Sequence, residues 1–160
     1  MHKNIKIAIL TTARSDFGLL KRVIRHAATR SNVDLLVTGS HFLQSRGSTI
    51  HEIELEFATC PNIKIVSFNT MDEATTPSAQ VNTLAHTQLR ASSWFETNHY
   101  DLLLFLGDRW ELWGVTLAAF MHGVPLAHIS GGEITEGVID DCVRHAHTKI
   151  SGLHFAATTD

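Results

Sequence analysis

The segment Asp101–His154, DLLLFLGDRWELWGVTLAAFMHGVPLAHISGGEITEGVIDDCVRHAHTKISGLH, carries the strongest indication of the fold. Its first apolar run, Leu102–Leu106, ends abruptly in the tripeptide GDR (107–109). A helical pattern follows, and then a second apolar run, 125–129, which leads into GGE (131–133). Short buried strands that open into polar loops are typical of an open α/β sheet, where ligands bind at the carboxyl ends of the strands. We therefore expect the functional site at this edge.

The same alternation of strand and helix extends outward over the 160-residue chain. Short, near-continuous apolar runs indicate parallel strands that are buried on both faces. The predicted strands are Ile5–Leu10, Val33–Val37, Ile63–Phe68, Leu102–Leu106, Leu126–Ile129 and His154–Ala157. The predicted helices begin near Ser15 or Asp16 and near Ser48 or Thr49, and then span about Ala79–Asn98, Glu111–His122 and Ile139–Ile150. The polar segment 69–78 is predicted to be a loop.

This pattern predicts a doubly wound parallel α/β sheet, Rossmann-like, with right-handed crossovers and the strand order 3-2-1-4-5-6. A crevice is expected between strands 1 and 4, where the winding reverses. Arg14 and Asp108 directly follow those two strands, and we expect them to face each other across the crevice. In the first helix, Ser15 or Asp16 is expected to act as the cap. The apolar positions expected on its inner face are Leu19, Leu20, Val23, Ile24 and Ala27.

The composition indicates one globular domain that binds neither nucleic acid nor a membrane. Apolar residues make up 44% of the chain, and the formal net charge is −3 without a lysine or arginine cluster. No apolar run approaches the length of a membrane span, and the N-terminal apolar stretch is too short for a secretory signal. Cys60 and Cys142 stand alone, which is typical of reduced thiols in a cytosolic protein. We therefore expect a cytoplasmic location.

The sequence lacks the motifs that hold common cofactors. No GxGxxG follows the first strand, and the P-loop pattern GxxxxGK[ST] does not occur. Eleven histidines raise the question of a metal, but HExxH is missing and most histidines are isolated. His145 and His147 are two residues apart and so lie on different faces of a helix. We expect no cofactor and no metal.

Two charged groups in the C-terminal segment are candidate site residues. Asp108 and Arg109 lie at the predicted crevice, where Arg109 can bind a phosphate or pair with the carboxylate; Asp108 can equally be a simple helix cap. The second group is Asp140, Asp141, Arg144 and His145 at the start of the last helix. In a purely structural role, Arg144 would form an ion pair with an aspartate three or four residues earlier in the same helix.

The loop after strand 5 leaves two interpretations open. Gly131 and Gly132 form either a tight turn or a close approach of backbone N–H groups to a ligand. Ser130 precedes them, but the segment is not GxSxG, so a serine nucleophile has little support.

Several segments resemble the hydrolysing UDP-N-acetylglucosamine 2-epimerases, which feed the synthesis of sialic acid-type sugars. The segment 12–20, TARSDFGLL, is similar to the family's TRADYGLL segment, and VTGSH (37–41) and GDRWE (107–111) continue the match. The most specific match is 128–155, HISGGEITEGVIDDCVRHAHTKISGLHF, with its GGE, TEG, IDD and RH-x-x-TK elements. The resemblance spans essentially the whole chain, and it covers only the N-terminal half of a two-domain, glycosyltransferase-B-like architecture.

The resemblance implies a reaction in which UDP-N-acetylglucosamine loses the C2 proton and UDP, giving 2-acetamidoglucal. Water then adds with inversion at C2 and N-acetylmannosamine is released. Asp108, Asp140 and the adjacent Asp141 fall on the family's acidic catalytic positions, and Arg14 and Arg109 on nucleotide-contacting ones. The full set of predicted substrate contacts is Arg14, Asp16, His41, Arg109, Ser130, Gly131, Gly132, Arg144 and His145.

The sequence departs from the family pattern at two points. Ser130 stands where many relatives have glutamate and others histidine, and we expect Glu133 to substitute as a catalytic acid or base. The family's C-terminal UDP-binding domain is absent from this chain, so we expect a half-site with little or no turnover alone, and a surface prone to self-association. The full-length enzyme is expected to be a homo-oligomer.

Three alternatives to this assignment remain. The same scaffold can act on a UDP-2,4-diacetamido sugar in legionaminic-type acid synthesis. A lone doubly wound domain can also be a non-catalytic module that binds a sugar nucleotide. A plain glycosyltransferase comes third, because it does not need acids grouped at the GDR and IDD loops.

Overall fold

The computed structural model describes residues 5–134 and 139–157, and strands alternate with helices throughout this part of the chain. The strands are β1 (Lys6–Thr11), β2 (Asn32–Val37), β3 (Ile63–Ser67), β4 (Leu102–Leu106), β5 (Leu126–Ile129) and β6 (Leu153–Phe155). The helices are α1 (Arg14–Ala28), α2 (Ile50–Phe57), α3 (Pro77–Thr97), α4 (Leu112–Met121) and α5 (Ile139–Ile150). Two 3-10 turns, Gly39–Phe42 and Gln44–Arg46, follow β2.

The strands form one parallel sheet in the order β3-β2-β1-β4-β5-β6. The predicted α/β class and strand order are therefore confirmed. The winding reverses between β1 and β4, so that the loops leaving these strands lie on either side of the switch point at the carboxyl edge of the sheet.

Each face of the sheet is covered by its own hydrophobic core, because side chains alternate along a strand. In β4, Leu103 and Phe105 pack with α3 and α4, while Leu104 packs on the opposite face with α1 and α2. The largest fully buried side chains include Phe95 of α3 and Ile24 of α1, one in each core. Burial on both faces explains why the strands read as continuous apolar runs rather than as alternating ones.

Helix α1 begins one residue before the predicted cap. Its N-cap is Ala13, whose side chain makes no capping bond, so the expectation that Ser15 or Asp16 caps the helix is wrong. The buried face consists of Asp16, Phe17, Leu20 and Ile24. Leu19 is 68% exposed and Val23 is also exposed, against the prediction. Apolar residues at consecutive positions cannot all face the sheet, since one helical turn takes about 3.6 residues.

The longest helix, α3, begins at Pro77, about two residues earlier than predicted. Proline fits the first turn of a helix because its missing N–H is not needed there, and the hydroxyl of Thr76 accepts a hydrogen bond from Ala79 N at 3.2 Å. The last strand is Leu153–Phe155 instead of His154–Ala157, and it is an exposed edge strand. Within residues 5–134 and 139–157, none of the helices is both long enough and apolar enough to cross a membrane.

Candidate active site

The loops that follow β1 and β2 are joined by close backbone contacts. The carbonyl oxygen of Thr12 accepts hydrogen bonds from the Ser40 N–H at 2.8 Å and from the Ser40 hydroxyl at 3.2 Å. Gly39 has a φ of +64°, and a Cβ atom there would lie 2.5 Å from the same carbonyl oxygen. Glycine alone combines a left-handed conformation with so close an approach. The two loops therefore form one continuous wall of the crevice.

Asp16 is buried within this wall. Its carboxylate accepts hydrogen bonds from the Thr12 hydroxyl at 2.7 Å, from the Thr12 N–H at 3.3 Å and from the Ser15 hydroxyl at 3.1 Å. Both carboxylate oxygens are thus used by the chain's own loop. In the structure the side chain holds the loop after β1, and the substrate contact at Asp16 stays a prediction.

His41 stabilises the same wall through both of its ring nitrogens. Its Nε2 lies 3.0 Å from the Thr11 hydroxyl and its Nδ1 lies 2.6 Å from the Thr49 hydroxyl. Burial, together with the positive charge of Arg109, lowers the pKa of His41 to about 4, so the fully buried ring is neutral at neutral pH. The protein occupies both ring nitrogens, and the contact of His41 with substrate stays a prediction.

Arg14 extends from the start of α1 and is largely exposed. Its guanidinium Nη2 lies 3.6 Å from Oε2 of Glu52, and the side chain is 76% exposed. Arg14 and Asp108, which were expected to face each other across the crevice, each pair with another residue, Arg14 with Glu52 and Asp108 with Arg144. An exposed pair of this kind is worth little energy, so Arg14 is free to rotate toward an anionic ligand.

The central ion pair of the site joins Asp108 to Arg144. Nη2 of Arg144 donates a hydrogen bond to Oδ2 of Asp108, and Nη1 lies 3.9 Å from Oε2 of Glu133. The Arg144 side chain is only 8% exposed, whereas that of Asp108 is 25% exposed and that of Glu133 46%. The local pair of Arg144 with an aspartate of its own helix, left open by the sequence, is replaced by this long-range contact.

Arg109 pairs with a carboxylate other than Asp108. Its Nη2 donates a 2.7 Å hydrogen bond to Oε1 of Glu111, a buried residue that the sequence reasoning missed as a partner. Burial acts to lower the pKa of Arg109, but Glu111 and the charges of Asp16 and Asp140 raise it above its ordinary value. The pairing with Asp108 that the sequence left open is not the one observed. Oε2 of Glu111 and Nε of Arg109 are buried and have no hydrogen-bond partner among the described residues.

The loop after β5 is a tight turn packed against a histidine. Ser130 has a φ of +60°, and its N–H donates a 2.9 Å hydrogen bond to the Phe155 carbonyl. A Cβ atom on Gly131 would lie 2.8 Å from Nδ1 of His128, while Gly132 has a φ of +82°. These contacts favour the turn over the alternative in which Gly131 approaches a ligand. Substrate binding by the turn's backbone stays a prediction.

The first turn of α5 adds the last group of charges. Asp141 lies 3.4 Å from Nε2 of His145, which is a local pair four residues apart. Asp140 is close enough to Arg109 for its charge to raise the pKa of that guanidinium. The TEG element at 135–137 lies outside the described residues.

The described charges alternate in sign around the crevice. Arg144 lies between Asp108 and Glu133, and Arg109 lies among the carboxylates of Asp16, Glu111 and Asp140. Carboxylates can transfer protons and guanidinium groups can stabilise phosphate, so this arrangement suits acid–base chemistry on an anionic substrate. Among residues 5–134 and 139–157, no group of three or more histidine, cysteine or acidic side chains is placed to hold a metal ion. Both cysteines are free thiols.

Comparison with known proteins gives consistent matches over most of the chain. The family model for UDP-N-acetylglucosamine 2-epimerase matches residues 25–160. The polysialic acid biosynthesis protein P7 of Escherichia coli is 35% identical over 97% of this chain and 39% of its own length. The hydrolysing UDP-N,N'-diacetylbacillosamine 2-epimerase of Legionella pneumophila is 34% identical over 96% of this chain and 40% of its own length.

A solved structure supports the fold independently. The crystal structure of a UDP-N-acetylglucosamine 2-epimerase superposes with a TM-score of 0.80 at 20% identity, covering 98% of this chain and 43% of that one. The chain thus spans about two-fifths of the length of the relatives it matches.

Proposed function

The chain belongs to the UDP-N-acetylglucosamine 2-epimerase family, and we propose that it is the N-terminal catalytic half of a hydrolysing UDP-sugar 2-epimerase. The observation that carries the proposal is the placement of Asp108. This carboxylate lies at the switch point of the sheet, is held by the buried Arg144, and still has a quarter of its side chain exposed. It is therefore fixed and accessible at once, as an acid–base group must be.

In the proposed reaction, a carboxylate removes the proton from C2 of the sugar. The C1–O bond to UDP breaks, its electron pair leaves with UDP, and a C1–C2 double bond forms in the 2-acetamidoglucal. Water then supplies oxygen to C1, and a proton returns to C2 from the opposite face. UDP-sugar and water are converted to UDP and a free sugar with inverted configuration at C2.

The charged residues around the crevice are assigned roles by their placement. Asp108 and Asp140 are the proposed proton-transfer groups, with Asp141 beside them. Glu133, which is close to Arg144 and half exposed, is the proposed substitute for the family carboxylate that Ser130 replaces. Arg14 and Arg109 are proposed to stabilise the departing diphosphate, since guanidinium groups bind phosphate oxygens in bidentate fashion.

A second substrate is also supported by an observation. The Legionella relative, at 34% identity, is named for a UDP-N,N'-diacetylbacillosamine substrate. The alternative proposal is therefore a UDP-2,4-diacetamido sugar in place of UDP-N-acetylglucosamine.

The remainder of the full-length protein is proposed to supply the UDP-binding domain. The relatives are about two and a half times as long as this chain, and they are the source of this inference. We propose that the isolated chain turns over little or no substrate, that the full-length enzyme is a homo-oligomer, and that it acts in the cytoplasm.

The experiment is product analysis by NMR. Full-length protein is incubated separately with UDP-N-acetylglucosamine and with UDP-N,N'-diacetylbacillosamine, and the released sugar is identified. Release of a 2-epimerised free sugar from one of them supports the proposal and selects the substrate. Tight binding of both nucleotide sugars without any release of UDP would instead identify a binding module.

A further inference from the structure

We infer that His128 is a positioning residue that fixes the GDR loop against the loop after β5 and so sets the direction of the Asp108 carboxylate. The catalytic consequence rests on the proposed function, whereas the positioning itself does not. The ring lies in β5, fully buried, and cannot reach a substrate.

The hydrogen bonds of His128 define its tautomer. Nε2 lies 2.7 Å from the Gly107 carbonyl oxygen, which can only accept, so Nε2 carries the proton. Nδ1 is then an acceptor, and the Thr148 hydroxyl, 3.2 Å away on α5, donates to it. Burial lowers the pKa of His128, which keeps this neutral form at neutral pH.

Gly107, the residue before Asp108, is bound to β5 through both of its backbone groups. Its N–H donates to the Ile129 carbonyl at 3.0 Å, and its carbonyl accepts from His128. Gly107 has a φ of +82°. Because glycine has no Cβ atom, its backbone can move easily between this conformation and others. The two bonds remove that freedom immediately before the proposed catalytic carboxylate.

The same ring also supports the loop on its other side. A Cβ atom on Gly131 would approach Nδ1 of His128 to 2.8 Å and the Thr148 hydroxyl to 3.0 Å. Below, the ring stacks on Phe105 at 4.8 Å between centroids with an interplanar angle of 20°. His128 is therefore enclosed by Gly107, Gly131, Phe105 and Thr148, so a shift of the ring is transmitted to both loops.

A second buried histidine provides a matched control. His147 also packs on Phe105, at 5.1 Å between centroids, and its Nε2 lies 2.9 Å from the Thr116 hydroxyl. Thr116 belongs to α4, so this pair joins two helices and not the two loops. Thr148 and Thr116 each place a hydroxyl at a ring nitrogen of a histidine that packs on Phe105, although Thr116 is the more deeply buried of the two. They differ in whether that histidine touches the GDR loop.

The test compares Thr148→Val with Thr116→Val, and His128→Phe with His147→Phe, in the full-length protein. The first measurement is hydrogen exchange of the backbone amides at 107–109 and 130–133. We expect faster exchange there in Thr148→Val and His128→Phe and wild-type exchange in Thr116→Val. The His147 ring itself lies 6.0 Å from that of His128, so His147→Phe, which keeps an aromatic ring there, should change the exchange less than His128→Phe does. The Thr→Val changes conserve side-chain shape, so they keep the test informative even if a His→Phe variant does not fold.

The second measurement is kcat and KM with the substrate that the wild-type enzyme accepts. Loss of a positioning contact lowers kcat, by about tenfold for Thr148→Val and on the order of a hundredfold for His128→Phe, with little change in KM. Equal exchange and equal kcat in the Thr148→Val and Thr116→Val variants would overturn the inference. Altered exchange at the two loops, in a protein whose wild type releases no UDP, would support the positioning role and contradict the proposed function.

Discussion

The carboxylate of Asp108 at the end of β4 is bound by the guanidinium of Arg144, which lies 36 residues further along the chain on α5. This contact joins the switch point of the sheet to the helix that carries Asp140 and Asp141. Because Arg144 is almost fully buried, the salt bridge fixes Asp108 in a direction rather than merely balancing its charge.

Replacing Arg144 is expected to impair catalysis more than stability. Arg144→Met leaves Asp108 without its partner, but the exposed part of that carboxylate can still be solvated. We expect kcat to fall on the order of a hundredfold and the free energy of unfolding to fall by about 1–3 kcal/mol. Steady-state kinetics and urea unfolding measure the two effects.

The double variant Asp108→Asn/Arg144→Met tests whether the two residues act in catalysis as one unit or independently. Residues that act as a unit give non-additive losses, so its kcat should be close to that of Asp108→Asn alone. Arg25→Met, which breaks the exposed pair with Glu56, is the control and should retain activity. Multiplicative losses in the double variant would argue against the pair.

Substitutions of two left-handed glycines test the close contact between the loops after β1 and β2. Gly39→Ala would place a methyl group 2.5 Å from the Thr12 carbonyl oxygen, whereas Gly47 has a similar φ of +69° with open space around it. Gly47→Ala should cost about 1–2 kcal/mol from backbone strain alone. Gly39→Ala should cost at least about 2 kcal/mol more, and equal unfolding midpoints for the two variants would be inconsistent with the contact.

Tyr100→Phe is expected to destabilise the protein without affecting the site. The Tyr100 hydroxyl donates a 2.6 Å hydrogen bond to the buried Asp34 and accepts one from Nε1 of Trp94 at 2.9 Å. Removing it leaves both groups with one partner fewer, at a cost of about 1–3 kcal/mol. This network lies toward the amino ends of the strands, so kcat should be unchanged; a large loss of activity would show that the network extends to the crevice.

The buried histidines predict a loss of stability in mild acid. Burial lowers the pKa of His147 to about 3 and that of His41 to about 4, whereas both are near 6.5 when unfolded. Below about pH 6.5 the unfolded chain binds protons that the folded chain excludes. The free energy of unfolding is therefore highest above this pH. Below it, each of the two histidines lowers that free energy by roughly 1.4 kcal/mol per pH unit, down to its pKa in the folded protein.

Urea unfolding between pH 7 and pH 5 measures this dependence. His147→Phe should reduce the slope of unfolding free energy against pH by about one proton. An unchanged slope in this variant would mean that His147 is protonated equally in both states.

The fold followed from the sequence because buried parallel strands leave a local signature. The run at 102–106 is apolar throughout, the run at 126–129 is apolar except for His128, and the bounds of both agree with the structure. Strand order followed from the handedness of the connections and not from any one residue. The prediction of buried residues was wrong where a helix has more apolar residues than its buried face can hold, as at Leu19.

The partners within the site were less predictable, because pairing across loops depends on contacts between distant residues. Arg144 had two aspartates within reach on its own helix, yet it binds Asp108 from another loop. The family segment 37–41 predicts a substrate contact at His41, but it carries no indication of the two threonine hydroxyls at the ring nitrogens. Glu111 and His128 are polar residues with apolar neighbours on both sides. This pattern indicates burial, but it does not indicate which partner the side chain binds.

The most direct measurement of the central claim is deuterium incorporation at C2 of the product. Full-length enzyme and its Asp108→Asn variant are incubated with the accepted UDP-sugar in D2O, and the released sugar is examined by NMR. We expect a 2-epimerised sugar with deuterium at C2 from the wild type, and a rate lower by at least about a hundredfold in the variant. Retention of the original C2 proton in the product, or a wild-type rate without the Asp108 carboxylate, would contradict the proposed function.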